Sequence, residues 1–397
     1  MTRYWTARYG TPHEVFWREP GASRAALHSD QRWYCNRWLN IVFTPDAEPR
    51  AFAPVQREYA RSLVRWRRPI QSAYVKLATS PPTARWLAHA TMHVSPPIAK
   101  HQRQVIVPGN NKIRILDHVD WTATSILKDG FGRDGFEREL RSRKIARQLG
   151  LPVIEVLDED TSGGWFRERY VAATPVNRLS NKNTMRDVVH NACFALRGYL
   201  EHSLKSNPMP HYINELEQRI RVYASSQPLL ADAQRSAIDT ALDELLNWAN
   251  QSSTKFPDHI TTSIGHGDFQ AANVLVDGQE FWLIDWESSR RRQTGYDPLV
   301  MGLGSRTTRD LVRSMQAFIQ RGWTSTLLSR LDDWPGFAWR SSAQRRCATL
   351  VFLLEELDYH FEENSNRLFT RLGDGLTRLV ADLPKLVAGI RLEPRSQ

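Results

Sequence analysis

The stretch SIGHGDFQAANVLVDGQEFWLIDWE, residues 263–287, sets His266, Asp268, Asn273, Asp277 and Asp285 between two apolar runs rich in Val, Leu, Ile and Trp. Polar groups at strand ends mark either a turn or a site. Asp277-Gly278 is a hairpin turn signal, and a loop from Asp277 to Glu280 pairs Asn273 with Ile284. Asp285 then follows the partner of Asn273, so the two side chains can meet at one end of the ribbon, with Asp268 in the loop leading into it. An amide oxygen beside a carboxylate suits magnesium, a hard cation that keeps waters and phosphates in its remaining positions. A second carboxylate close by can aim a hydroxyl and accept its proton. Together these are the parts that phosphoryl transfer needs. The plain alternative is a set of polar residues that merely caps a hairpin.

Elements that could position such a site are legible upstream. RQVIVP and KIRILD flank Gly109-Asn110-Asn111, a trio that tolerates positive φ, so a hairpin is expected. TATSILK supplies a third strand ending at Lys128. In DGFERELRSRKIARQLGLP, Asp134 is placed as N-cap with Glu137 three residues on, and Gly150 and Pro152 close the helix. LPVIEVLDED and WFRERYVAA read as two further strands joined at Gly163-Gly164. Residues 183–250 and 305–390 are mostly helical by apolar spacing. Before all of this, PVQREYARSLVRWRRP reads as a helix between Pro54 and Pro69 that gathers Arg57, Arg61, Arg65 and Arg68 on one face and Val55, Tyr59, Leu63 and Trp66 on the other.

Bulk properties narrow the function classes. The 397 residues are 41% hydrophobic and 24% charged, a globular composition that suits two or three packed units. No apolar run approaches the roughly 20 residues needed to cross a bilayer, and the opening residues lack a signal-peptide core, so a cytoplasmic protein is expected. Cys35, Cys193 and Cys347 lie far apart, which indicates neither a disulfide framework nor a zinc site. Residues 1–100 hold 15 Lys+Arg against 6 Asp+Glu, +9 of the net +10. That basic leader points to an anionic ligand or surface.

The pattern H-x-D-x4-N followed by Ile-Asp-Trp-Glu resembles the catalytic core of the aminoglycoside phosphotransferase and choline kinase group, relatives of protein kinases. The resemblance covers about residues 102–300. It implies an α+β, bilobal protein-kinase-like fold, with a small antiparallel-sheet N-lobe over residues 96–172 and a helical C-lobe over 173–397; residues 1–95 lie outside the resemblance and read by their own pattern as a basic, mostly helical extension. It makes Asp268 the catalytic base, His266 a brace for the loop, and Asn273 and Asp285 the magnesium ligands. Lys128 fits the lysine that pairs with the ATP phosphates, and Glu139 its ion-pair partner. WFRERYVAATPVN looks like the hinge, where backbone of Arg169, Tyr170 and Val171 would hold adenine. PGNNK replaces the glycine-rich loop of protein kinases, so phosphate contact by Gly109, Asn110 and Asn111 is a weaker implication.

Gly267, not Arg, precedes Asp268, and only about a dozen residues separate Asp285 from Asp297 in GYDP. A small-molecule kinase is favoured over a protein kinase, with Asp297 as a loop-stabilising residue. For the acceptor, LLEELDYHFEEN offers Glu355, Asp358 and Glu362 on one helical face to a cationic molecule of aminoglycoside or choline type, or else carries a solvated face. The basic leader favours an anionic or membrane-associated acceptor. PGNNKIRIL, ILKDGF and HGDFQAANVLVDG resemble the phosphotransferases of bacterial lipopolysaccharide and exopolysaccharide synthesis, so a sugar hydroxyl is the preferred acceptor, and Arg57, Arg61, Arg65 and Arg68 would hold the enzyme at the inner membrane. A different class also fits: an inactive kinase fold that binds a membrane surface or, less favoured, nucleic acid. Intact Lys128, Asp268, Asn273 and Asp285 speak against it.

Overall fold

The computed structural model describes residues 1–18, 30–60, 66–251, 256–307, 310–323, 326–331 and 333–391. The chain divides into two compact units, Met1–Phe136 with Ile154–Ala173, and Glu137–Val153 with Thr174–Gln397.

The first unit is built on one nine-stranded sheet. Its strands are β1 (Glu14–Arg18), β2 (Gln31–Asn36), β3 (Ile41–Phe43), β4 (Ala90–Ser95), β5 (Gln104–Pro108), β6 (Lys112–Asp117), β7 (Thr122–Leu127), β8 (Val156–Asp160) and β9 (Trp165–Arg169). They are ordered β1-β4-β2-β3-β5-β6-β7-β9-β8, every neighbouring pair antiparallel. The β5–β6 hairpin closes over Gly109–Asn111 with Pro108 opposite Ile113, as expected.

Residues 1–95, read from sequence as a mostly helical extension, instead supply four of the nine strands, β1–β4. Helices α1 (Thr2–Tyr9), α2 (Ala53–Ala60), α3 (Arg67–Thr79) and α4 (Pro81–Leu87) accompany them. β3 escaped notice because its side chains are covered on both faces. Ile41 and Phe43 join a core with Phe52, Val55, Val75 and Ala78 from the helices, while Val42 between them joins another with Tyr4 and Trp5 of α1. A strand buried on both faces shows no polar alternation to read.

The expected end of the helix at Pro69 is also corrected. α2 is described over Ala53–Ala60, and Pro69 lies in the first turn of α3. A proline there removes a backbone N–H that has no intrahelical acceptor, so it begins a helix rather than ending one. Arg61 and Arg65 lie outside the described residues.

The second unit holds most of helix α5 (Asp134–Gln148), then α6 (Lys182–Glu201), α7 (Met209–Ser226), α8 (Asp232–Gln251), α9 (Tyr296–Leu303), α10 (Leu311–Arg321), α11 (Ser342–Glu363) and α12 (Asp374–Arg391). α5 was expected with the N-lobe sheet. From Glu137 onward it belongs here, because Ala146 and Leu151 are buried in this unit's core and Val153 bridges Leu283. Two three-stranded sheets lie among the helices: β10 (Thr174–Pro175), β13 (Val274–Asp277) and β14 (Glu280–Leu283); and β11 (Lys205–Pro208), β12 (His259–Ile264) and β15 (Arg291–Gln293). The class is α+β, as expected. Among the described residues no helix is long and apolar enough to cross a membrane.

Candidate active site

β12 delivers the chain into the loop that carries His266 and Asp268. Asp297, at the start of α9, shapes that loop: its carboxylate accepts the backbone N–H of His266 at 2.7 Å and of Gly267 at 2.9 Å. Burial pushes the Asp297 carboxyl up, and those two N–H bonds and the neighbouring His266 oppose it. Gly267 sits at φ +83°, and a Cβ there would lie 1.9 Å from the Ser288 carbonyl oxygen. Only glycine fits.

The His266 ring is fully buried, with Nε2 2.9 Å from the Ile284 carbonyl oxygen. A carbonyl only accepts, so the proton sits on Nε2, and Nδ1 takes the Asp268 backbone N–H at 3.4 Å. Burial holds the imidazole pKa below its ordinary value, against the pull of Asp297 and Asp268. A neutral ring bonded at both nitrogens is a brace between the loop and the end of β14.

Asp268 is held at both oxygens. Arg306 Nε donates to Oδ1 at 2.8 Å, and Asn273 Nδ2 and Gln270 Nε2 each donate to Oδ2 at 2.8 Å. Asn273 Nδ2 also donates to the Asp268 carbonyl at 2.9 Å. These two bonds fix the amide so that its Oδ1 faces away from Asp268. β13 and β14 pair Val274 with Leu283 and Asp277 with Glu280, and the Ile284 N–H reaches the Asn273 carbonyl at 3.0 Å. That is the register read from sequence. Asp285 then turns into the left-handed region, φ 68° and ψ 61°, which a residue other than glycine seldom adopts.

The Asn273 amide oxygen and the Asp285 carboxylate suit a hard cation. Among the described residues no group of three or more His, Cys, Asp or Glu is placed to hold a metal. A cation here would therefore rest on two side chains and on phosphate and water oxygens, the manner in which magnesium is held.

In the first unit, Lys128 follows β7 and turns onto the hairpin loop, its Nζ donating to the Gly109 carbonyl at 2.5 Å and the Asn110 carbonyl at 3.0 Å. Partial burial lowers its pKa. The lysine and the loop expected to meet phosphates are thus together. Of the expected adenine-binding backbone, the Arg169 N–H bonds the Glu155 carbonyl at 3.0 Å and the Tyr170 N–H the Trp121 carbonyl at 2.7 Å. Both are committed to the sheet edge; among the described residues the Val171 N–H makes no such bond. Arg57, placed from sequence on an open arginine face, instead donates to the Ala172 carbonyl and the Tyr170 hydroxyl at 3.3 Å each. Glu139 belongs to the second unit, buried with Arg143 Nη1 at 3.6 Å.

The acidic face expected on α11 is neither solvated nor open. Glu355 accepts the Tyr212 hydroxyl at 2.5 Å and the Gln293 N–H at 2.7 Å, and burial pushes its carboxyl up to about 7. Asp358 is bonded by Arg219 and Arg290, and Glu362 by Arg138 and Arg290. All three acids are paired within the fold. The helix is buried from Arg345 to Phe361, so Glu355 and Asp358 must find donors inside, while Glu362, one residue further on, is half-buried.

Sequence reasoning missed Arg306, Tyr296 and Glu356. Arg306 donates to Asp268, to Glu356 and, at 2.9 Å, to the Tyr296 hydroxyl, while its guanidinium lies 3.9 Å from the Tyr359 ring centre. Tyr296 in turn donates to Glu356 at 2.6 Å. Burial pushes the Glu356 carboxyl up, but Arg306 and His360 outweigh it and hold the group below its ordinary value. No spacing links Arg306 to Asp268, 38 residues away. The one available signal was Glu355-Glu356 inside an otherwise apolar helical run, which demands buried cations.

Solved structures similar to this chain include a choline/ethanolamine kinase family protein from Mesorhizobium loti, 15% identical, matched over 81% of this chain and 99% of that one with a TM-score of 0.44. Another is a thermostable mutant of aminoglycoside phosphotransferase APH(4)-Ia in complex with ADP and hygromycin B, 15% identical over 72% and 93% of the two chains, TM-score 0.48. Choline kinase LicA from Streptococcus pneumoniae is 14% identical over 74% and 92%, TM-score 0.41. No curated protein matches the chain in sequence. The phosphotransferase enzyme family matches residues 119–339, more than half of the chain and the whole stretch from Lys128 to Asp297; the chain belongs to that family.

Proposed function

We propose that this phosphotransferase moves the γ-phosphate of ATP to a hydroxyl group of a small molecule, with Asp268 as the base. The observation that carries this reading is the pairing of Asp268 and Asn273: the amide that bonds Oδ2 of the carboxylate leads directly into the β13–β14 hairpin, whose second strand runs on to Asp285. Asn273 and Asp285 would hold magnesium, which supplies charge neutralisation for the transferring phosphates. Lys128 would meet the α and β phosphates, the turn at Gly109 and Asn110 would border them, and the Val171 N–H would serve adenine. His266 and Asp297 hold the loop without meeting the reacting atoms. Asp268 is anchored by three donors, so it aims the acceptor hydroxyl and takes its proton with little reorganisation.

A cavity of about 380 Å³ in the second unit supports a small-molecule acceptor. Glu356, already paired with Arg306, lines it together with Asp310, Asp382, Arg378 and Lys385. Its charges nearly balance, which suits a polyhydroxylated acceptor better than a polycation. A bacterial surface-glycan sugar is the narrower form of this reading and rests on the sequence stretches around Lys128 and Asp268; the enzyme would work in the cytoplasm. The test is nucleotide-dependent thermal stabilisation, then ADP release with a panel of sugars, aminoglycosides and choline. A shift that needs magnesium and disappears in Asp285→Asn supports the site, since ligand at 100 times its Kd adds about 2.7 kcal/mol. Absence of any nucleotide shift overturns it.

A further inference from the structure

The exposed face of α3 matches neither a solvated helix nor a core helix. Val75 and Ala78 point into the first unit's core. On the opposite side, Trp66, Ile70, Ala73 and Leu77 fall within about 60° of one another at 100° per residue. Trp66 is 65% exposed, Ile70 61% and Leu77 54%. Four apolar residues in line on an open helix face are more than scattered surface hydrophobes.

Charge frames this stripe. Arg67 and Lys76 lie on its two sides, and from residue 59 to residue 116 the chain has ten Lys+Arg and no Asp or Glu. Three exposed tryptophans of the first unit carry an arginine over the ring: Arg67 on Trp66 at 5.2 Å, Arg85 on Trp86 at 4.6 Å and Arg37 on Trp38 at 5.1 Å. Tryptophan beside arginine suits the boundary between acyl chains and headgroups, and an aliphatic stripe with basic flanks is the pattern of a helix lying in that boundary.

We propose that α3, with Trp66 at its start, docks the protein on an anionic bilayer surface. Ile70 and Leu77 enter the acyl boundary, and Arg67, Lys76 and Arg85 meet acidic headgroups. Nucleic acid would use the same cations but gains nothing from Ile70 or Leu77, which offer no ring for a base to stack on. Arg57 takes no part, being bonded to Ala172 and Tyr170.

The full chain is sedimented with vesicles of phosphatidylcholine alone and with 30% phosphatidylglycerol, at low and high salt, beside the Ile70→Ser/Leu77→Ser variant. Both side chains are more than half exposed, so the variant should keep its melting temperature and its magnesium-dependent nucleotide shift. Expected is binding to the anionic vesicles alone, weaker at high salt, and at least tenfold weaker in the variant. Equal binding by variant and parent, or none to anionic vesicles, overturns the proposal. So does a dimer in sedimentation velocity that the variant dissolves, or variant-sensitive binding of single-stranded RNA without vesicle binding. A nucleotide site that fails its own test leaves this result readable, because vesicle binding needs no turnover.

Discussion

The second unit holds two sets of carboxylates that look alike as sequence and differ as structure. Asp268 lies in the loop after β12 and Asp285 two residues past β14, and the Asn273 amide anchors the Asp268 carboxylate. Glu355, Asp358 and Glu362 lie on α11, and each is bonded by Tyr212, Gln293 or an arginine. Both sets are hydrogen-bonded, since Asp268 has three donors of its own. What separates them is place: loops that flank a short hairpin against a helix buried from Arg345 to Phe361. Spacing alone does not separate the two cases.

That distinction can be broken most severely at the loop. Gly267→Ala places a Cβ 1.9 Å from the Ser288 carbonyl oxygen at a positive φ, so phosphotransfer should fall to background; wild-type turnover would show that the loop is not the site. Asp268→Ala should lower turnover by about three orders of magnitude while the magnesium-dependent nucleotide shift persists, because the base acts only when the hydroxyl attacks. Equal loss of nucleotide binding in that variant would make Asp268 structural, like the acids of α11.

Glu356→Ala removes one of the two carboxylates that Arg306 bonds and leaves it Asp268, which should cost about 1–3 kcal/mol in denaturant unfolding. A loss under 1 kcal/mol would mean that Arg306 finds other acceptors. Glu355 gives a smaller, pH-graded effect. Its carboxyl rises from 4.5 to about 7 on folding, so the folded protein holds that proton more tightly. The stability it contributes is full below pH 4.5 and is lost as the pH rises through about 7. Glu355→Gln should flatten the melting temperature over that window, and an unchanged slope would assign it to another group. The smallest effect is expected at the exposed pair of Arg197 and Glu201, where Arg197→Ala should change stability by under about 0.5 kcal/mol.

Much of the site was legible because it is local. His266, Asp268, Asn273 and Asp285 share one 25-residue stretch, and the turn at Asp277-Gly278 fixes a hairpin whose register follows from its length. The Gly109–Asn111 turn and Lys128 were likewise readable from short-range turn chemistry and strand order. What stayed hidden was non-local. β4 inserts between β1 and β2 across more than 50 residues, and no local pattern announces such pairing. The partnership of Arg306 with Asp268 and Glu356 joins three elements that only the packing of α9 and α11 brings together.

By itself, then, the sequence determined the family chemistry, the hairpin that aligns Asn273 with Asp285 and the strand that ends at Lys128, because covalent neighbours and turn residues dictate these within a few residues. Tertiary structure alone decided which carboxylates are occupied, that the basic leader completes a sheet, and that the apolar side of α3 faces outward. Each of those depends on which surfaces meet, and burial is set by partners distant in the chain.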